Sequence, residues 1–404
     1  MKGVYPGQML TAVGVDPNNQ IYPLAYGIVE SESKSSCSWF LNCLGDDLDL
    51  NERSNFTFIS DRQKGIILAL EDVFPAAEHR FCLKHIYDNM KSYWRGQMYK
   101  DYLWKLATTT TVEQFNRVME DFKTVDKDAY EYLKKIPPMH WSRSHFSSRP
   151  KCDVLLNNMC EVFNRQLVDG REKPIILALE YTREYLMRRL AIVQKDIDKC
   201  RGPLTPVATG LFEIIKKEAF KYKATFNGYA KFEVVGPWMD QCVVNMENRT
   251  CSCRKWELTG MPCKHVAAYI YDMADNQQKV YLPESYLDPV YWLNTWKKMY
   301  EFKIGPVTGK NYWPKSDWPI LVKPPKHHVQ IGRPKKKRRK SKAELEIVKN
   351  GKLSRQGKHV KCGNCQEHGH NKRKCSNRQK IPVGKSKKAS QGSKARKTKK
   401  ARVE

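Results

Sequence analysis

The chain has 404 residues, 41% of them hydrophobic and 11% aromatic, enough to bury the cores of roughly two to three domains. No apolar run approaches the ~20 residues of a membrane span, and the opening "MKGVYPGQML" lacks the apolar stretch of a secretory leader, so no membrane partner is expected. The formal net charge is +29 and there are thirteen cysteines, a combination that favours a polyanionic partner and metal sites or buried thiols over disulfides.

In chain order, "GQMLTAVGVD" reads as a strand that ends in the turn Asp16-Pro17-Asn18-Asn19, and "IYPLAYGIVES" as the second strand of a hairpin. Ser35 to Leu44 places Trp39, Phe40, Cys43 and Leu44 at helical spacing. "FTFIS" is a short strand stopping at Asp61, "GIILALEDVF" a helix, and "HRFCLKHIYDNM" a strand running into a helix, an order that indicates an α/β core. From about Ile86 to Leu133 the pattern is helical, with Trp94, Met98 and Tyr102 expected on a packed apolar face, and "IPPMHW" breaks it. A second helical block runs from Leu155 to about Lys199, interrupted near Gly170 and Pro174. Phe226 to Met246 is strand-like, and "VAAYIYDMA" is a short helix. From Pro324 onward, Lys, Arg, Ser and Gly dominate, which is a disordered composition. Residues 323–404 hold 29 Lys and Arg against 4 Glu, so +25 of the +29 lies there.

"CSCRKWELTGMPCKH" puts Cys251, Cys253, Cys263 and His265 within fifteen residues, a complete tetrahedral donor set for zinc. The four could instead be core residues, because free cysteine behaves as a small hydrophobe. The charged Arg254, Lys255, Glu257 and Lys264 between them argue against that, since charged side chains are rarely fully buried. Cys251-x-Cys253 with Cys263-x-His265, strands before and a helix after, resembles the SWIM zinc finger. Zinc there would clip the hairpin to the helix, and four protein ligands leave no position for a catalytic water.

Cys362-x2-Cys365-x4-His370-x4-Cys375 has the spacing of a CCHC zinc knuckle, a module for single-stranded nucleic acid. Gly363 and Asn364 stand where knuckles carry a base-stacking aromatic, so Lys372, Arg373 and Lys374 are expected to take over the contact. In "IGRPKKKRRKSK", Gly332-Arg333-Pro334 resembles the core of an AT-hook, although Ile331 replaces the usual preceding basic residue. The run Lys335, Lys336, Lys337, Arg338, Arg339 and Lys340 also reads as a nuclear localisation signal, so with Arg333 these residues are candidates for DNA contact and for nuclear import.

The phrases "GQMLTAVGVDPNNQIYPLAYGIVESE", "FISDRQKGI", "FPAAEHRFCLKHIYDNM" and "NNMCEVFNRQL", followed by these zinc and basic motifs, resemble the transposase of Mutator-like elements (MULEs) in order and in kind. The resemblance implies an RNase H-like core with a helical insertion, a triad of carboxylates, two divalent metal ions (Mg²⁺ or Mn²⁺) and homo-oligomeric assembly. It places Asp61 at the second carboxylate position, at a strand end, and Glu161 at the third, on a helix. Asp61 could equally cap a helix and Glu161 be a surface residue. The first carboxylate of the family would precede Lys2-Gly3, so an α/β RNase H-like core missing its first, central strand, between the second strand and the one ending at Asp61, is expected, with a truncated gene model or a decayed copy as its origin. Asp16 sits in the hairpin turn and does not match the position. Cys82 and His85 match a C-x2-H pair of the family, too few for a closed zinc site.

The expected organisation is a transposase core over 1–200, a connecting segment over 201–225, a SWIM module over 226–275, an extension over 276–322 and a disordered basic tail over 323–404. The tail contains the GRP and localisation segment, 331–342, and the knuckle, 360–377. The expected function is that of a nuclear, non-catalytic protein with two structural zinc ions that binds DNA, with single-stranded nucleic acid at the knuckle, and takes no small-molecule substrate. The alternatives are an active DDE-type transposase that needs Mg²⁺ or Mn²⁺ and a further N-terminal strand, and a domesticated transcription regulator.

Overall fold

The computed structural model describes residues 7–315 apart from 52, 55, 228, 229 and 278–280, and then residues 348, 349, 352, 353, 362, 365, 367, 370, 375 and 376. The chain divides into two units, Met1–His327 and His328–Glu404.

In the first unit, β1 (Gln8–Val15) and β2 (Ile21–Val29) form the expected antiparallel hairpin, with Gln8 opposite Val29 and Val15 opposite Ile21. The register shifts where Val13 meets Pro23, a bulge beside a residue that cannot donate to the ladder. The turn is tied down by Asp16. Its Oδ1 accepts from the amides of Asn18 (2.9 Å) and Gln20 (2.7 Å), and its Oδ2 accepts from Trp296 Nε1 (2.8 Å) and Tyr300 OH (2.9 Å). This buried carboxylate is a structural anchor.

Helix α1 (Lys34–Asp47), capped by Ser33, buries Cys37, Phe40, Leu41 and Leu44, while Trp39 and Cys43 face outward. Strand β3 (Thr57–Ser60), helix α2 (Lys64–Val73) and strand β4 (Glu78–Phe81) make a β-α-β unit in which β3 and β4 pair in parallel, Thr57 with Glu78 through Ser60 with Phe81. The β1–β2 and β3–β4 pairs are separate sheets among the described residues.

The helical region follows as α3 (Leu83–Met90), α4 (Gln97–Thr108), α5 (Val112–Val125) and α6 (Lys127–Lys134). Thr111 and Asp126 cap the last two by accepting from Gln114 N and Ala129 N, the bonds that start each helix. Their apolar stripes meet in a core of Leu83, Ile86, Met90, Leu103, Leu106, Phe122 and Leu133. Trp94 and Tyr102 pack on it, whereas Met98 is largely exposed. Helices α7 (Asn158–Gln166), α8 (Val168–Arg171) and α9 (Ile175–Lys199) form the second block, with Pro174 at the start of the long helix.

Residues 201–225, expected to be a connecting segment, instead form α10 (Pro206–Ala219) and the start of β5 (Lys223–Phe226). Strand β5 opens a four-stranded antiparallel sheet with β6 (Lys231–Val235), β7 (Gln241–Asn245) and β8 (Thr250–Cys251). Strands β6 and β7 alternate buried and exposed residues, and their buried face packs on α12 (Lys264–Asp275), which follows the short α11 (Lys255–Thr259). Helix α10 packs on α12 as well, and α13 (Leu293–Met299) packs against α9. The body is a mixed α/β structure with thirteen α-helices and small sheets among the described residues. No helix among them is long and apolar enough to cross a membrane. In the second unit, Val348–Lys349 and Lys352–Leu353 pair as short antiparallel strands.

Candidate metal centre

Four donors expected from the sequence converge in the first unit. Cys251 ends β8, Cys253 follows it, Cys263 precedes α12 and His265 lies in the first turn of that helix. One donor atom from each lies within 4.8 Å of the other three, and His265 Nδ1 stands 3.6 Å from both Cys251 Sγ and Cys263 Sγ. Zinc bonds of ~2.3 Å to sulfur and ~2.0 Å to nitrogen in a tetrahedron need donor separations of about this size. Cys251, Cys263 and His265 are each 2–3% exposed.

The electrostatics fit a cation. Burial opposes ionisation of Cys263, yet its contacts with Cys251, Cys253 and His265 hold it well below the usual thiol range. Contacts with Cys242 and Cys251 pull Cys253 down to about 6. Burial would lower His265, but the neighbouring thiols hold its proton up to about 12. Cys253 and Cys263 are held low beside a protonated imidazole while their neighbours push Cys251 up, and a divalent ion bound there would supply the positive charge and take the place of the protons.

Two residues here have no signal in the C-x-C and C-x-H spacing. Asp240 Oδ2 accepts from His265 Nε2 (3.3 Å), Tyr222 OH (2.8 Å) and Lys264 Nζ (2.7 Å). The carboxylate thereby turns Nδ1 toward the thiols, the outer partner that metal-binding histidines commonly have. Cys242, buried on β7, lies beside it, with its thiol 3.8 Å from Asp240 Oδ1.

The segment between the ligand pairs is built into the body. Arg254 takes a left-handed conformation (φ 58°) and donates to the carbonyls of Thr110 (3.1 Å), Ser144 and Phe146 (3.0 Å), all in the helical region. Charge at this position therefore does not mean a solvated side chain, as the sequence pattern suggested. Leu258 is 1% exposed and belongs to the helical core. Trp256 packs into the sheet-side core instead. The carbonyl of Glu257 accepts from Lys151 Nζ (3.2 Å) and that of Thr259 from Tyr291 OH (2.5 Å). Gly260 closes α11 at φ 71°, where a Cβ would come 2.6 Å from Asp288 Cβ, so both its conformation and its surroundings require glycine.

In the second unit, Cys362, Cys365, His370 and Cys375 also offer donor atoms within 4.8 Å of one another. His370 Nε2 lies 3.2 Å from Cys365 Sγ, and Cys362 N donates to Glu367 O (2.8 Å). This is a second S₃N donor set that suits zinc. The basic candidates Arg333, Lys335, Lys336, Lys337, Arg338, Arg339, Lys340, Lys372, Arg373 and Lys374 lie outside the described residues, as does the expected 331–342 segment.

Asp61 stands immediately after β3, and its Oδ1 accepts from Gln63 N (3.3 Å). It is not the helix cap; Gln63 is, through its side chain and Ile66 N. Glu161, on α7, pairs with Lys84 Nζ (2.9 Å) and lies 3.8 Å from His85 Nε2. Burial pushes the Cys160 thiol up to about 11, with a smaller contribution from the charges of Asp61 and Glu161. Cys82 is fully buried at the start of α3 and its sulfur accepts from Asn157 N (3.2 Å), which gives it a packing role at the strand end.

Residues 2–89 match the MULE transposase domain family, and residues 235–271 match the SWIM zinc finger family. A comparison with curated proteins gives no match. The chain carries a MULE transposase domain followed by a SWIM zinc finger, and the Cys362 to Cys375 cluster supports a knuckle of CCHC type in the second unit.

Proposed function

We propose that the chain is a zinc-stabilised, nuclear nucleic-acid-binding protein of Mutator-like transposase descent. The observation that carries this reading is the union of a MULE-matched β-α-β segment with a SWIM-matched zinc cluster in one packed body, ahead of a segment holding +25 of the net charge. The hairpin β1–β2 and the parallel pair β3–β4, separate sheets among the described residues, are then the strand pairs of an RNase H-like core. The body is the scaffold, and residues 323–404 supply most of the affinity for DNA, with Arg333 to Lys340 directing import. The second zinc cluster presents Lys372, Arg373 and Lys374 to single-stranded nucleic acid.

A salt titration of duplex binding tests this reading. Log K falls with log salt at about −0.9 per phosphate neutralised, so a polycation covering roughly six to ten phosphates loses about 10³–10⁵ in affinity between 50 and 200 mM salt. Full-length protein is expected to show that slope and residues 1–322 a shallower one with weaker binding. Equal slopes and affinities would move the DNA surface to the body.

A second reading, metal-dependent DNA cleavage, is favoured by one observation: Asp61 stands at the end of β3 and Glu161 on α7, the strand-end and helix positions that the resemblance gives to two of the carboxylates. Two Mg²⁺ or Mn²⁺ ions held by carboxylates would there activate a water or 3′-hydroxyl and stabilise the leaving oxygen. Against it, Glu161 is engaged by Lys84, which a metal would have to displace. Cleavage that disappears in Asp61→Ala would make this the function; the binding reading expects none.

A further inference from the structure

The SWIM-type cluster has one sulfur more than zinc requires. Cys242 is on the buried face of β7, one pleat along from Val244, and Val244 pairs with Cys251 of β8. Cys242 and Cys251 are therefore diagonal neighbours on one face of the sheet. The Cys242 sulfur also lies within 4.8 Å of a ring nitrogen of His265 and of an Asp240 oxygen. Cys242 thus shares His265 as a neighbour with the three thiols, a fifth metal-binding side chain beside a set of which zinc would use four.

We propose that Cys242 is an exchangeable fifth zinc ligand, able to take the place of His265 or of Cys253. Zinc has no d-electron preference between Cys₃His and Cys₄ sets, so exchange has no intrinsic geometric penalty. In the exchange Cys242 would replace His265 as the fourth donor and give its proton to the released imidazole, which Asp240 already holds from its other side. The bland alternative is a buried cysteine acting as a small hydrophobe. That role would make Cys242→Ser equally neutral or equally harmful in every ligand background, whereas a reserve ligand matters most when another ligand is missing.

This proposal rests on zinc occupying the first cluster, and the test separates the two. The protein is the full chain carrying Cys362→Ser and Cys375→Ser, so that only the first cluster reports, and the probe is Co²⁺, read by its thiolate charge-transfer band. The parent is expected to bind one Co²⁺ with a three-thiolate band. His265→Ala is expected to bind one Co²⁺ with the band raised by one thiolate's share, and adding Cys242→Ser to return it to three and weaken binding by at least about tenfold. Cys253→Ser leaves His265 and Asp240 in place and is the second arm: a three-thiolate band is expected, falling to two with Cys242→Ser. Recruitment in either arm supports the proposal. A three-thiolate band or no Co²⁺ in His265→Ala, together with two thiolates in Cys253→Ser, overturns it alone. A parent that binds no Co²⁺ overturns the four-ligand site along with it.

Discussion

The two Cys/His clusters share a donor set and differ in what surrounds it. In the first, the nine residues between Cys253 and Cys263 reach three hydrophobic cores: Leu258 enters the helical core, Trp256 the sheet core and Met261 the core beneath α10. In the second, the four donors fall within fourteen residues, and among the described residues Cys362 N donates to Glu367 O and Cys365 Sγ lies beside His370 Nε2. The same metal chemistry therefore has two consequences. Zinc bound at Cys251 would be part of how the body folds; bound at Cys375 it would organise a short segment.

Removing one donor from each cluster gives the largest expected contrast. Structural zinc contributes an apparent ~10–16 kcal/mol in small modules, comparable to the whole stability of a domain. Cys251→Ser is expected to abolish the cooperative thermal unfolding of the body, and Cys375→Ser to leave its midpoint unchanged. Equal effects would break the comparison. Leu258→Ala is next: it removes a fully buried side chain that joins the first cluster's segment to the helices, and about 2–5 kcal/mol should be lost in a denaturant titration. A loss below about 1 kcal/mol would mean that the segment lies on the body without supporting it.

Acid sharpens the contrast, because protonation strips metal from thiolates in both clusters while the body has an acid-labile residue of its own. Burial, helped by neighbouring His140, pushes His79 down to about 4; its Nε2 sits 2.7 Å from Ser60 Oγ across β3 and β4. The folded state prefers the neutral ring, so between pH 6.5 and about 4 the unfolded state binds more protons. Stability is full above 6.5 and falls through that window by at most about 3 kcal/mol. An NMR titration should find the ring neutral until about pH 4; an ordinary midpoint near 6.5 would remove this contribution. The smallest effect is expected from Asp240→Asn, which keeps the shape but weakens the acceptor at His265 Nε2. Zinc affinity should drop about 10–100-fold at the first cluster and not at the second, as competition with a chromophoric chelator would measure.

What the sequence revealed followed the range of the interactions. The β1–β2 hairpin, α2 and the C-x-C and C-x-H pairs are local patterns, and each appears where its spacing placed it. Trp39 and Cys43 share the helical spacing of Phe40 and Leu44, but they lie at the margin of the buried stripe, and only the packed neighbours decide that margin. Arg254 meets Thr110, Ser144 and Phe146 more than a hundred residues away, so its charge pattern suggested solvent where the fold provides carbonyls. Asp240 and Cys242 precede the first expected ligand by about ten residues, across a hairpin, and are brought to His265 by strand register.

Amide hydrogen exchange of the full chain, zinc-loaded and zinc-stripped, tests most directly whether the first cluster holds the body together. The account predicts that stripping zinc exposes not only residues 235–271 but also the core amides of α4, α5 and α6, including Leu106, Phe122 and Leu133, because Arg254 and Leu258 leave their partners. Undiminished protection in those three helices, with exchange confined to 235–271, would contradict it.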